Sequence, residues 1–160
     1  MTQNADDPAS AHNPWVIRTF TDRPALWNSL KERIAAPVGS LGFQANVRFV
    51  EEAGFLGLSG IDLVHALPPN YPSGFVFVAN GETSDAHEDI ITLVYFCPDS
   101  TDPADYKRPP SAVPAADLRC VQHLPHVTQE LENNLSIGNI DIADVLNGVL
   151  ADGIYRGVEQ

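Results

Sequence analysis

Two nearly continuous apolar runs, GFVFVAN at 74–80 and DIITLVYFC at 89–97, constrain the fold of this chain more than any other feature of its sequence. Both runs are rich in β-branched and aromatic residues, which favour strands. A strand with one face in water alternates apolar and polar residues, whereas a continuous apolar run is typical of a strand covered on both faces. The two runs therefore predict the central strands of a sheet that has helices packed on it.

The other elements are predicted from the period of the apolar residues and from the residues that end each run. A first helix is indicated by apolar residues at helical spacing, namely Leu26, Trp27, Leu30 and Ile34. Thr21 or Asp22 can cap this helix, and Pro37 ends it. A last helix would begin after its cap, Asp141, and end at Gly153. Further strands are predicted at 15–20, 44–52 and 117–124, and further helices at 61–68 and 126–135.

The resulting order, β-α-β-α-β-β-β-α-α, predicts a single mixed sheet of about five strands with helices packed on it, in the α+β or α/β class. The first strand–helix–strand unit is compatible with a right-handed parallel crossover. Residues 1–13 are polar and are expected to form a flexible tail, and residues 14–160 are expected to form one globular domain. Residues 98–114 are rich in proline and predict a long loop that is mobile or draped over the surface.

The charge of the chain limits its partners. Asp and Glu number 21 against 9 Lys and Arg, which gives a formal net charge of −12 at pH 7. This field repels a phosphate backbone, so no nucleic-acid partner is expected. The sequence has no apolar run long enough to span a membrane and no signal-like start, which predicts a cytoplasmic protein without a membrane partner. Cys97 and Cys120 fall in apolar runs and are expected to be free core thiols.

The stretch ENNLSIGNID, at 132–141, concentrates amides and a hydroxyl between two predicted helices. Asn133, Asn134 and Asn139 are of a residue type that hydrogen-bonds nearby backbone, as a helix–turn–helix junction requires. On this interpretation, Asp141 caps the next helix. The functional alternative has Asn134 or Ser136 pointing into a pocket as a polar anchor for a ligand.

Arg18 is notable because a guanidinium in an apolar strand needs a partner if it is buried. By alternation it shares a face with Val16 and Phe20. A structural ion pair is one interpretation, with the carboxylate supplied by Glu132, Asp141 or Asp152. The functional hypothesis is that the buried Arg18 guanidinium binds an anionic or carbonyl group of a ligand.

The histidines are candidates for proton transfer. His123 and His126 form the pair HLPH, and either could act as a general base or acid if Glu130 or Asp62 orients it. His65 follows Asp62 by one helical turn, a spacing that permits contact. The structural alternative at each of these positions is a histidine that is exposed to solvent or has its ring nitrogens hydrogen-bonded within the protein.

Tyr95 lies near the end of a central strand, where its hydroxyl could reach a cavity, although core packing alone would also explain it. The sequence shows no glycine-rich phosphate loop, no GxSxG elbow, no cysteine pairs and no HExxH motif. The pair His123 and His126 falls short of the three or four ligands that zinc needs. No metal site and no cofactor are therefore expected.

Four stretches resemble one uncharacterised family: VIRTFTD at 16–22, FVFVANGET at 75–83, ENNLSIGNIDIADV at 132–145 and DGIYRGV at 152–158. That family, known from actinobacterial and fungal proteins, carries only a domain-of-unknown-function label, and its most specific motif resembles ENNLSIGNID. The resemblance implies an uncharacterised domain. It implies no activity, cofactor or substrate.

Two classes of function follow from these features. The first is a small cofactor-independent enzyme or binder for an organic molecule, with proton transfer as its chemistry, of isomerase, cyclase or lyase type. The candidate catalytic residues are His123, Arg18, Tyr95 and His126, and the candidate ligand-binding residues are Asn134, Ser136, His65 and Asp62. The alternative is an acidic interaction or immunity-type module without catalysis, for which a protein partner or a homodimer is expected.

Overall fold

A computed structural model describes residues 11–158, and in this part of the chain six strands form one mixed sheet. The strands are β1 (Trp15–Arg18), β2 (Arg48–Val50), β3 (Phe75–Ala79), β4 (Ile91–Tyr95), β5 (Arg119–His123) and β6 (Ile154–Tyr155). Their order in the sheet is β2-β1-β3-β4-β5-β6. Strands β1, β2 and β3 run parallel, β4 is antiparallel to both of its neighbours, and β6 is parallel to β5.

Four helices pack on this sheet. They are α1 (Pro24–Ala35), α2 (Gly60–Ala66), α3 (Thr128–Ser136) and α4 (Ile142–Asn147). The predicted single mixed sheet with helices packed on it is confirmed, and the fold belongs to the α+β class. The predicted order of elements is also confirmed, except that the short strand β6 follows the last helix.

The sheet is covered on both faces. One apolar cluster joins Val16, Phe77 and Leu93 to the inner sides of α1, α3 and α4. A second cluster, on the opposite face, joins Ile17 and Val76 to α2 and to the end of the proline-rich loop. All five residues of β3 are buried, as its continuous apolar sequence predicts.

The ends of the strands form two opposite sides of the sheet, and these two sides carry different residues. The carboxyl end of β4 lies beside the start of β3 and β5, where Tyr95 is opposite Phe75 and Arg119. We call this the lower edge. At the upper edge β1 ends with Arg18, and Ile91 of β4 is opposite His123 of β5. Four residues along β4 therefore separate Tyr95 from the level of His123, which corresponds to about 13 Å.

The start of α1 differs from the prediction that Thr21 or Asp22 caps it. Arg23 occupies the cap position in a left-handed conformation, with φ 53°, and within residues 11–158 no side chain caps the helix. Two guanidinium contacts explain the difference. Arg18 Nη2 binds the carbonyl oxygens of Thr21 and Asp22 at 3.4 and 3.0 Å, while Arg23 Nη1 donates to the carbonyl oxygen of Gly81 at 3.1 Å. The arginines, not a cap, fix this turn.

The last helix is shorter than predicted. Helix α4 ends at Asn147, with Gly148 as its C-cap, instead of continuing to Gly153. A Cβ on Gly148 would lie 2.8 Å from a ring carbon of Tyr155, so the returning strand β6 packs where a helical side chain would extend. At the other end of α4 the prediction is confirmed, because Asp141 accepts a hydrogen bond from the Asp144 amide in a capping box.

The sequence also led to expectations for the proline-rich loop and for the two cysteines. The proline-rich loop is draped on the molecule, with Pro110 and Val113 buried, and its turn at Pro110–Ala112 packs on α2. Both cysteines are free, but Cys120 is exposed and Cys97 is half-buried, so the expectation of two core thiols is wrong. Within the predicted tail, residues 1–10 lie outside the described residues.

Candidate functional site

Two adjoining cavities open at the lower edge of the sheet. The first, of about 290 Å³, has hydroxyl groups in its wall, and we call it the hydroxyl cavity; it is lined by His12, Pro14, Pro72, Ser73, Gly74, Phe75, Tyr95, Cys97, Leu135 and Ser136. The second, of about 250 Å³, lies against the proline-rich loop, and we call it the loop cavity. The two cavities share the wall formed by Pro72, Ser73, Gly74 and Cys97.

The shared wall depends on a close approach of two chain segments. The Phe96 amide donates to the carbonyl oxygen of Gly74 at 2.8 Å. A Cβ on Gly74 would lie 2.7 Å from the Cβ of Cys97, so only glycine fits between the start of β3 and the end of β4. Tyr71 braces the same edge, because its hydroxyl accepts from the Trp15 amide at 3.0 Å and donates to the Phe75 carbonyl at 2.8 Å. The wall is therefore fixed by backbone contacts.

Tyr95 provides a protonated hydroxyl at the hydroxyl cavity. It is the last residue of β4 and is half-buried. Burial raises the pKa of its phenol to about 12, and the neighbouring Cys97 thiol adds to the rise. At neutral pH this hydroxyl can donate a hydrogen bond to a ligand oxygen.

Ser136 reaches the same cavity from the last residue of α3. Its hydroxyl donates to Glu132 Oε1 at 3.3 Å. The Glu132 carboxylate is buried and also accepts the Asn46 amide at 3.0 Å; burial raises its pKa, while these hydrogen bonds oppose the rise. Glu132 thus holds the end of α3 against the segment before β2 and positions Ser136.

The loop cavity combines apolar walls with charges. Tyr71 and Phe96 present their rings, whose centroids are 6.1 Å apart, and the other apolar walls come from Pro69, Pro72, Pro98, Pro110 and Val113. Lys107, Arg108 and Asp105 supply its charged groups. Arg108 pairs with Asp117 at 2.8 Å, and Asp105 accepts from the Ser100 hydroxyl at 2.5 Å.

Arg18 lies at the upper edge and contacts neither cavity. Its Nη1 is 3.4 Å from Glu51 Oε2, so the expectation that Glu132, Asp141 or Asp152 pairs with it is wrong. The parallel pairing of β1 with β2 explains the choice, because the register Ile17 opposite Val50 places Glu51 beside Arg18. The guanidinium also lies 4.8 Å from the Phe20 ring centroid.

His123 is fully buried at the upper edge. Its Nδ1 donates to the Leu124 carbonyl oxygen at 2.9 Å, its ring packs edge-on against Phe77, and Nε2 has no hydrogen-bond partner among residues 11–158. Burial lowers the pKa of His123 to about 4. The neighbouring candidate His126 is exposed. Neither imidazole lines the two cavities of the lower edge, and their catalytic role stays a prediction.

Of the amides in ENNLSIGNID, Asn134 and Asn139 make local contacts, whereas Asn133 contacts a distant segment. Asn134 Nδ2 donates to the Glu130 carbonyl at 2.9 Å, and Asn134 Oδ1 accepts from Asn139 Nδ2 at 2.8 Å. Asn133 Oδ1 accepts from Asn46 Nδ2 at 3.5 Å. These bonds join the end of α3 to the following turn and to the segment before β2.

His65 and Asp62 lie on α2, on the sheet face opposite α3. His65 Nε2 is 2.8 Å from the carbonyl oxygen of Val113, and this contact links α2 to the proline-rich loop. The Asp62 side chain is exposed, and within the described residues it is not paired with His65. Of the eight candidate site residues, Tyr95 and Ser136 line the hydroxyl cavity, and the other six line neither of the two cavities.

Three polar residues of the hydroxyl cavity were not predicted as site residues: His12, Ser73 and Cys97. His12 falls in the predicted tail, where nothing indicated contact, and Ser73 precedes β3 in a loop. The signal that could have identified them is Gly74 before a fully apolar strand, because glycine at a strand end marks a close backbone approach. Cys97 at the end of the paired run is its partner in that approach.

The described residues contain neither a cluster of metal ligands nor a membrane-spanning helix. Among residues 11–158, no three His, Cys, Asp or Glu side chains lie together as a metal site would require. Every helix in this range is too short or too polar to cross a membrane.

Comparisons with known proteins identify a family without an assigned activity. A comparison with curated proteins finds no match, and a comparison with solved structures finds none either. A family model described as "Domain of unknown function (DUF6924)" matches residues 13–158, a range that includes all six strands and all four helices described above. The resemblance to an uncharacterised family is confirmed, and the chain belongs to the family described as Domain of unknown function (DUF6924).

Proposed function

We propose that the protein binds a small organic molecule in the hydroxyl cavity and acts on it by proton transfer, as a cofactor-independent isomerase, cyclase or lyase. One observation carries the proposal: the hydroxyl-bearing residues Ser73, Tyr95 and Ser136 come from three separate segments and line one cavity of about 290 Å³. Phe75 and Leu135 provide apolar walls. Apolar walls with a few converging polar groups are typical of small-molecule sites.

The proposed chemistry uses the groups on this wall. The Tyr95 hydroxyl, whose pKa of about 12 keeps it protonated, donates to a carbonyl oxygen of the ligand and stabilises the negative charge that develops there. His12, which lines the same cavity, accepts the proton that leaves the ligand carbon next to this carbonyl group. Imidazole is the commonest general base in enzymes. Return of that proton to another carbon completes an isomerisation, and loss of a leaving group instead completes an elimination. Both outcomes balance without a redox partner.

The proposal includes a cellular setting. Both cysteines are free thiols, which is typical of a reducing compartment, and we therefore propose a cytoplasmic location. The net charge of −12 opposes binding to nucleic acids and to anionic membrane surfaces.

Native mass spectrometry of the protein purified from its own host would test the proposal. We expect the wild type to carry a small organic molecule. Ser136→Trp should lose it, because the new indole fills the hydroxyl cavity from an exposed position without removing a core side chain. Tyr95→Phe should lower its occupancy by about tenfold at limiting ligand, which is what the loss of one hydrogen bond to a ligand predicts.

The matched control is Ile137→Trp, which adds the same indole at the next residue. Ile137 is 77 % exposed and lies outside the walls of both cavities, so this variant should retain the ligand. A wild-type protein that carries no molecule, or a Ser136→Trp variant that carries it at the wild-type level, would overturn the proposal.

The second candidate function, an acidic interaction module, is favoured by one surface feature. The turn closed by the bridge between Val38 and Phe43 exposes Leu41 and Phe43 by 78 % and 54 %. A specific protein partner that is lost on Leu41→Glu and retained on Ser136→Trp would support this candidate over the first.

A further inference from the structure

The loop cavity carries charges of both signs. Its lining contains two cations, Lys107 and Arg108, and one carboxylate, Asp105. In the full chain, acidic residues outnumber basic residues by 21 to 9. Because Arg108 is neutralised by Asp117, which lies outside the lining, the charge that selects a ligand is the one left unpaired on the wall.

Lys107 is the cation available to a ligand. Arg108 is committed, because Nη1 pairs with Asp117 at 2.8 Å and Nη2 donates to the Phe96 carbonyl at 3.2 Å. The seven other cations each contact a carboxylate, a carbonyl oxygen or an aromatic ring. Among residues 11–158, Lys107 makes no ion pair or side-chain hydrogen bond, and the Asp105 carboxylate in the same lining is more than 4 Å from it.

The walls beside Lys107 are flat and apolar. The Tyr71 hydroxyl is hydrogen-bonded to the Trp15 amide and to the Phe75 carbonyl. Only the ring of Tyr71 is therefore left to contact a ligand. Phe96 and several prolines complete the lining. Such walls accept an aromatic or alicyclic ring, since ring faces and proline edges pack well against flat apolar groups.

The loop cavity also adjoins the hydroxyl cavity across Ser73, Gly74 and Cys97. The separate volumes of about 250 and 290 Å³ lie near the lower end of the range usual for organic ligands, whereas their sum lies well within it. One elongated molecule can therefore occupy both.

From these observations we infer that the ligand is an elongated organic carboxylate, with its ring in the loop cavity, its carboxylate at Lys107 and its reacting end in the hydroxyl cavity. The inference rests on the proposed function for the reacting end alone. The carboxylate and ring subsite is assigned from the charge and shape of the loop cavity.

Two probes of equal shape test the subsite: trans-cinnamate and trans-cinnamamide, which differ in one charge. Saturation-transfer NMR and isothermal titration would measure binding to the full chain. We expect the wild type to bind cinnamate about fivefold more tightly than cinnamamide, the size of effect that a partly exposed ion pair provides. Lys107→Gln should remove this preference and leave cinnamamide binding unchanged.

The control is Lys31→Gln, because Lys31 lies on α1 with its Nζ 5.4 Å from the Trp27 ring centroid and lines neither cavity. This variant should keep the preference for cinnamate. Equal binding of the two probes to the wild type, no binding of either at millimolar concentration, or a preference that survives Lys107→Gln would each overturn the inference.

The Ser136→Trp variant separates this inference from the proposed function. If Lys107-dependent binding of cinnamate persists in wild type and in Ser136→Trp while no molecule copurifies, the carboxylate subsite stands and the proposed function fails. If a copurified molecule is lost on Ser136→Trp but is insensitive to Lys107→Gln, the proposed function stands and the carboxylate subsite fails.

Discussion

At the scale of single residues, burial decides what His123 can do. The residue ends β5 and was a candidate general base, but its imidazole has no exposed surface and packs against Phe77. Burial disfavours the charged imidazolium, which lowers the pKa to about 4 from the ordinary 6.5. At neutral pH His123 is therefore an uncharged core residue that donates one hydrogen bond to Leu124.

This burial predicts an acid sensitivity of the fold. Between pH 6.5 and about 4 the unfolded chain binds a proton at His123 that the folded chain does not, so stability falls as the pH is lowered through this window. The difference between the two pKa values corresponds to about 3 kcal/mol. Urea unfolding at several pH values should show that His123→Gln flattens this slope, although the variant is less stable at every pH.

His126→Gln is the matched control, since His126 is exposed three residues later. It should change the pH slope of the free energy of unfolding much less than His123→Gln does, because the charge of His126 is the smallest of the causes that act on the His123 pKa. If His123→Gln has the same slope as the wild type, His123 is protonated in the folded protein and its burial has been misjudged.

At the scale of elements, α3 acts as a clamp between the two ends of the sheet. Glu132 holds the segment before β2 through the Asn46 amide, as described above. Glu130 faces the other way: its carboxylate accepts the Tyr155 hydroxyl at 2.7 Å and the Val158 amide at 3.0 Å. The two carboxylates thus fix the segment before β2 and the segment after β6 to one helix.

Gly157→Ala should release the second half of this clamp. Gly157 has φ 90°, and a Cβ there would lie 2.7 Å from Glu130 Oε2. We expect a loss of about 2 kcal/mol in the free energy of unfolding, from backbone strain and displacement of the carboxylate. Hydrogen exchange should become faster at Tyr155 before it does so in β3.

Gly153→Ala separates the two contributions. Gly153 has a similar φ of 81°, but a Cβ there would meet nothing within 4 Å. This variant should cost only the backbone strain, about 1 kcal/mol. Equal losses for the two variants would mean that the contact with Glu130 contributes nothing to the attachment of β6.

At the scale of the whole molecule, the net charge of −12 opposes the compact state by self-repulsion. Salt screens this repulsion, while the ion pairs that it also weakens are partly exposed and individually small. At pH 7 we expect the free energy of unfolding to rise by about 1 kcal/mol between about 0.01 and 0.3 M sodium chloride. The urea midpoint measures the change.

The same titration near the sequence pI of about 4.5 is the control. There the net charge is close to zero, so added salt should give no comparable gain. A gain of equal size at both pH values would show that the salt acts on burial of apolar surface and not on charge repulsion.

Features that depend on neighbours in the sequence were predictable. The strand β3 and the helix α1 follow from apolar runs and apolar spacing, and the capping box at Asp141 follows from residues three positions apart. The left-handed turn at Arg23 was not predictable, because its guanidinium is held by the carbonyl oxygen of Gly81, in the distant segment that follows β3. Tyr95 and Ser136, which line the hydroxyl cavity, were also named as candidates from the sequence, although nothing in their own segments shows that they meet.

The amino-acid sequence by itself determined the mixed sheet with helices on both faces, the buried pair of central strands and the local bonding of the amide-rich turn, because apolar period and short-range hydrogen bonds act within a few residues. Only the tertiary structure decided that Glu51 pairs with Arg18, that His123 is sealed in the core and that His12, Ser73 and Cys97 join Tyr95 and Ser136. These outcomes depend on strand order and register, which bring distant segments to one edge, and no periodicity in a single chain encodes that choice of neighbours.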